Sequence, residues 1–163
     1  MFDKNTELAK SVCEKLRKIG QTVSTAESCT GGLLATVLTE IPGSSYIYQG
    51  GVTCYSNLSK SKILAVPTSA FESEGAVSRE VATLLAKNAR VLFETHFGVG
   101  ITGIAGPDGG NDAKPVGTVW CGISGDNVDK VWCLHLDGNR HSIRQQSVES
   151  VLTEFLKILK GAR

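Results

Sequence analysis

Apolar residues recur at Leu8, Val12, Leu16 and Ile19, a spacing that lays them along one helical face, and Gly20 follows as a stop. Gln21 to Ala26 then switches to a short run rich in Thr and Val, which predicts a strand. Gly31-Gly32-Leu33-Leu34-Ala35 opens a second helix that ends before Pro42. Tyr46 to Tyr55 sets β-branched and aromatic residues around Gly50-Gly51, the mark of a strand that is bent or closely approached. A short helix is predicted over Asn57 to Leu64. Ser78 and Glu80, with Val81, Leu84, Leu85 and Leu92, mark a long one, and Phe97 to Thr102 reads as another strand. Val116 to Ile123 and Val128 to Leu136 are two strands joined through Ser124-Gly125-Asp126-Asn127, a connection of hairpin length. The last helix runs from about Arg140 to Leu159, with Ile143, Val148, Val151, Leu152, Phe155 and Leu159 mainly on one face.

Helices therefore alternate with strands, and the fold class that follows is α/β: a three-layer α/β/α sandwich around a mixed, mostly parallel sheet. No repeat or linker divides the chain, so a single domain is expected over residues 1–163. A 17.3 kDa domain buries roughly 70% of its unfolded surface and needs no staples. In such sheets ligands gather beyond the carboxyl ends of strands, which is where Ser28 and the Thr102 to Gly110 loop are both expected.

Composition narrows the function classes. A net charge of +1, with both signs scattered, leaves no basic footprint for nucleic acid. No apolar run approaches the ~18 residues of a membrane span, and Met1-Phe2-Asp3-Lys4-Asn5 lacks the basic-then-apolar order of a signal peptide, so a cytoplasmic location is expected. Five cysteines, Cys13, Cys29, Cys54, Cys121 and Cys133, contain no C-x-x-C pair. They read as thiols in a reducing compartment, neither a disulfide framework nor a zinc site. The glycosylation-type match at Asn57-Leu58-Ser59 then carries no meaning.

The chemistry centres on Thr25-Ala26-Glu27-Ser28-Cys29-Thr30-Gly31-Gly32. It places two hydroxyls and a thiol at a strand-to-helix turn, where the first helical amides lack partners and favour an anion. Two readings stand for Ser28: a nucleophile, or simply a helix cap. Cys29 competes as a nucleophile, since a helix N-terminus favours a thiolate. His96, His135 and His141 are distant in sequence and suggest spectators. A serine nucleophile without histidine takes lysine as its base, and Tyr55-Ser56-Asn57-Leu58-Ser59-Lys60-Ser61-Lys62 supplies two, with Lys62 better suited to a solvated helix face. Tyr55 offers a hydroxyl that could relay a proton or hold that base.

Two motif matches are set aside. Ser59 and Lys62 fit S-x-x-K without its companion motifs. Gly98-Val99-Gly100-Ile101-Thr102-Gly103 fits G-x-G-x-x-G but lies within a strand and leads into Pro107 rather than a helix. The loop that follows is more informative: Gly103, Gly106, Gly109 and Gly110 let the backbone approach a ligand, with Thr102 and Asp108 as polar contributors. Arg140 and Arg144, one turn apart, are spaced to hold a phosphate or carboxylate, Arg140 being the better placed after the Asp137-Gly138-Asn139 turn.

Four segments taken together, TAESCTGG at 25–32, GGVTCYSNLSK at 50–60, GAVSREVA at 75–82 and GITGIAGPDGG with KPVGTVW at 100–120, resemble the CinA C-terminal domain family, whose enzymes are nicotinamide-nucleotide amidases. The likeness covers nearly the whole chain. It implies a stand-alone amidase without the further N-terminal domain of full-length CinA proteins. The expected reaction is hydrolysis of nicotinamide mononucleotide to nicotinate mononucleotide and ammonia, a step of pyridine nucleotide salvage. By motif matching Ser28 would be the nucleophile, Lys60 its general base and Tyr55 an assisting hydroxyl, while Thr30, Gly31, Thr102, Gly103 and Arg140 would line the substrate site. The expected route is an acyl-enzyme whose oxyanion is held by helix N-terminal amides, with no metal or cofactor. The expected partner is the small-molecule substrate, without nucleic acid or membrane; a homo-oligomer is compatible with these expectations.

Overall fold

The computed structural model describes residues 4–161; Met1 to Asp3 of the segment compared above with a signal peptide lie outside the described residues, as do the last two. A sheet of five strands runs β2 (Tyr48–Thr53), β1 (Val23–Glu27), β3 (Phe97–Gly103), β4 (Thr118–Gly125), β5 (Val128–His135) across its width. β1 is parallel to both β2 and β3, whereas β4 is antiparallel to β3 and to β5. β1, β2, β3 and β5 therefore point one way, and β4 alone is reversed. Helices α1 (Lys4–Ile19), α2 (Leu33–Thr39) and α6 (Arg140–Gly161) cover one face, and α3 (Asn57–Leu64), α4 (Thr68–Glu74) and α5 (Arg79–Leu92) the other. This is the expected three-layer sandwich with a mixed sheet. Among the described residues no helix is long and apolar enough to cross a membrane.

Strand alternation divides the core in two. Val23 joins the larger apolar cluster under α1, α2 and α6, while Ala26 joins the smaller one under α5. In the larger cluster Phe97 meets Phe155 edge to face, with ring centroids 5.1 Å apart, a geometry worth roughly 0.5–1.5 kcal/mol beyond area burial. α5 lies so close to the sheet that a Cβ on Gly100 would come within 2.6 Å of the Ala82 carbonyl. The G-x-G pattern is thus a helix-on-strand contact.

Gly50-Gly51 behaves as the sequence suggests. The β1–β2 register slips between Val23 and Ser24, so β2 carries a bulge, and a Cβ on Gly50 would meet the Phe93 ring at 2.6 Å. The hairpin is tighter than expected: β4 continues to Gly125 and only Asp126-Asn127 form the turn. α4 was not predicted; it buries only Ala70 and shows no helical periodicity, so its seven residues follow Pro67 without an apolar signature.

Because four strands point one way, their carboxyl ends share one edge of the sheet. That edge carries Ser28 after β1, Cys54 and Tyr55 after β2, the glycine-rich loop after β3 and Arg140 after β5.

Candidate active site

Ser28 continues the β1–β3 ladder, its N–H donating to the Ile101 carbonyl at 2.9 Å. The chain then turns sharply: the Gly31 N–H returns to the Ser28 carbonyl at 3.0 Å, and Gly31 and Gly32 take φ of 61° and 90°, which favour glycine. Ser28 is 8% exposed. From the opposite layer α3 delivers Lys60. A reciprocal cap between Ser56 and Ser59 starts this helix, and Lys60 is buried at 1% exposure. Its Nζ lies 2.9 Å from Ser28 Oγ, 2.8 Å from the Cys54 carbonyl and 3.3 Å from the Tyr55 carbonyl. Burial lowers the Lys60 pKa from its ordinary 10.5, favouring the neutral amine. With two N–H groups on carbonyls, a neutral amine turns its lone pair to the serine hydroxyl.

A cleft of about 290 Å³ opens on this pair. Ser28, Cys29, Tyr55, Lys60, Thr102, Gly103, Asp108 and Arg140 line it together, as the sequence and the resemblance suggested, and Asn57 joins them. Thr30 and Gly31 are not among the lining residues. Thr30 is fully buried beneath the turn with its hydroxyl unpaired, and Gly31 makes the turn itself. Thr102 donates its hydroxyl proton to the Ala76 carbonyl at 2.8 Å. Gly103 is required by packing, since a Cβ there would come within 2.7 Å of Val119. A Cβ on Gly106 would likewise meet Val116, so part of the glycine content expected to serve a ligand serves the loop's own closure.

Arg140 begins α6 because Asn139 caps it, the Asn139 Oδ1 accepting from the Ser142 N–H at 2.9 Å. Its guanidinium donates to the Gly106 carbonyl at 2.9 Å and to the Tyr55 hydroxyl at 2.7 Å. Tyr55, 59% exposed, thus holds Lys60 with its carbonyl while its hydroxyl belongs to Arg140. Arg144 does not share an anion with Arg140. It forks onto the Thr30 carbonyl at 2.8 and 3.2 Å, bracing the serine turn from α6.

Two expectations need correction. Cys29 is 6% exposed and burial pushes its pKa up to about 12, which works against the thiolate that a helix N-terminus was expected to favour. The first amides of α2 are not free for an oxyanion either. Leu34 and Ala35 donate to the two carboxylate oxygens of Glu27 at 3.0 and 2.8 Å, and the Leu33 N–H to the Thr30 carbonyl. Glu27 was overlooked in the sequence; the signal was a carboxylate in an otherwise Thr-, Val- and Ala-rich strand, immediately before the candidate nucleophile.

Residues 5–159 match the family described as CinA C-terminal domain. The chain belongs to the CinA C-terminal domain family. Within it, the chain is 40% identical over 159 residues to a Pseudomonas putida protein named nicotinamide-nucleotide amidohydrolase PncC, covering 96% of this chain and 98% of that one. It is 46% identical over 154 residues to a CinA-like protein of Crocosphaera subtropica, covering 93% of this chain but 37% of the relative. The chain spans under two-fifths of the length of several other curated relatives it matches. The crystal structure of the competence/damage inducible protein CihA from Agrobacterium tumefaciens superposes with a TM-score of 0.93 at 39% identity, over 98% of each chain.

Proposed function

We propose that this CinA-family domain is an amidohydrolase that converts nicotinamide mononucleotide to nicotinate mononucleotide and ammonia, a pyridine nucleotide salvage step. The observation that carries the reading is the 2.9 Å approach of the buried Lys60 amine to the Ser28 hydroxyl at the floor of an open cleft. The name of the full-length Pseudomonas putida relative supports the choice of substrate.

In this reading Lys60 takes the Ser28 proton and the alkoxide attacks the carboxamide carbon. With the α2 amides occupied by Glu27 and the Gly31 N–H by the Ser28 carbonyl, the developing oxyanion falls to the Cys29 N–H in the turn ahead of the helix. Lys60, now an ammonium, returns its proton to the departing nitrogen, which leaves as ammonia. Water, deprotonated by the same amine, then attacks the Ser28 ester carbon, and as the carbon–oxygen bond to Ser28 breaks Lys60 returns that proton to the serine oxygen, which frees the acid product. Arg140 at the cleft mouth supplies a cation for the phosphate, and Tyr55 positions that guanidinium.

Incubation with nicotinamide mononucleotide tests the reading. Equal amounts of ammonia and nicotinate mononucleotide are expected; a folded protein that binds the nucleotide and releases neither would overturn it.

A further inference from the structure

Glu27 and Lys60 are the only two Lys, Arg, Asp or Glu side chains that are buried among the described residues, and Ser28 follows one and touches the other. The proposed reaction uses Lys60 and leaves Glu27 without a task. A carboxylate at 1% exposure costs free energy unless its oxygens are paired, and here both are: Oε2 accepts from the Leu34 N–H and Oε1 from the Ala35 N–H. These bonds span the turn that carries Ser28. They fix the start of α2 to the end of β1, so that residues 28–32 are held at both ends. The Glu27 main chain completes the frame, its carbonyl accepting from the Cys54 N–H at 2.9 Å, and the Cys54 carbonyl in turn accepts from Lys60. One residue thus sets the nucleophile turn with its side chain and the base-holding segment with its backbone.

We infer that Glu27 is a positioning residue for the Ser28–Lys60 pair, acting through the α2 amides and never on substrate. This rests on the reading of Ser28 as a nucleophile. Strand alternation accounts for the division of labour: Glu27 points to the α2 layer, and Ser28, one residue on, meets Lys60 from the opposite layer.

Glu27→Gln keeps the shape but sets an amide donor against a backbone donor, and Glu27→Asp keeps the charge but is one methylene too short to reach both. A 1 Å misplacement at a reacting centre can cost about a hundredfold, so both variants are expected to lose about ten- to a hundredfold in kcat. KM should stay within about threefold, because the cleft walls that meet substrate are untouched, a split that general loosening of the fold would not produce. Labelling of Ser28 by a fluorophosphonate, which needs no amide substrate, should slow in parallel, and the Leu34 and Ala35 amides should lose protection from hydrogen exchange. Should both Glu27 variants fail to fold, the wild-type protein carries the test: its Leu34 and Ala35 amides are expected to exchange slowly with solvent, as donors held by a buried carboxylate, and fast exchange at both would overturn the inference. Unchanged kcat and labelling in a folded variant, or a KM that rises in step with the loss, would overturn the inference. A wild-type protein that labels at Ser28 but does not hydrolyse the nucleotide would leave the positioning role standing and remove the substrate; one that does neither would remove both.

Discussion

The Lys60 amine reaches the Ser28 hydroxyl at 2.9 Å while the Cys54 and Tyr55 carbonyls take up its other two positions. Lys60→Ala is therefore expected to lower turnover by about a hundredfold or more, the scale of general-base loss. Lys62→Ala should be mild, and the reverse pattern in steady-state kinetics would move the base. In the proposed mechanism the neutral amine is the active form, so kcat/KM should rise with pH through a Lys60 pKa depressed below 10.5 and then level off.

Cys29 sits beside Ser28, the proposed nucleophile, as a buried thiol whose pKa burial raises. Cys29→Ala should retain activity within about threefold, whereas Ser28→Ala should abolish it, the nucleophile being irreplaceable in covalent catalysis. Comparable loss in both would return the thiol to contention.

Buried thiols also set an alkaline limit on stability. Cys13 is pushed up to about 11 and Cys29 to about 12 from an ordinary 9.0, so the folded state holds protons that the unfolded state releases. Their contribution is complete below pH 9 and is lost as pH rises through those raised values. Lys60 acts in the opposite sense up to 10.5, because there the unfolded state binds the extra proton. In reductant, urea unfolding midpoints should fall above pH 9, and Cys29→Ala should flatten that fall; an unchanged slope would contradict the assignment.

Tyr55 divides its two groups between two neighbours, so its variants should separate them. Tyr55→Phe removes only the hydroxyl on Arg140 and leaves the carbonyl on Lys60; KM should rise with kcat within about tenfold. Arg140→Ala should raise KM by about tenfold or more, the value of a hydrogen bond to a charged group. A kcat collapse in Tyr55→Phe would instead place the phenol in proton transfer.

Gly100→Ala tests the close contact of α5 with β3. With the new Cβ 2.6 Å from the Ala82 carbonyl, overpacking of about 1–3 kcal/mol is expected, read as a lower Tm.

Much of this was legible in the chain. Apolar spacing located α1, α5 and α6, because each buries one face over several turns and repeats its signal; α4 buries one side-chain position and leaves none. Strand topology placed Ser28 and the loop from Thr102 at one edge of the sheet, and the family resemblance supplied the set Ser28, Tyr55, Lys60, Thr102, Gly103 and Arg140 that the cleft brings together. What a side chain touches was not nameable. Nothing in the order of residues says that Glu27 consumes the α2 amides, that Arg144 turns to the Thr30 carbonyl, or that the Tyr55 carbonyl, not its hydroxyl, holds the base. Those depend on distances between segments far apart in the chain.

Ammonia release from nicotinamide mononucleotide, compared among the wild-type protein, Ser28→Ala and Lys60→Ala, tests the central claim most directly. Steady release by wild type, none by Ser28→Ala, and a rate about a hundredfold lower for Lys60→Ala are expected. Undiminished release by a folded Ser28→Ala protein, or none by wild type, would contradict it.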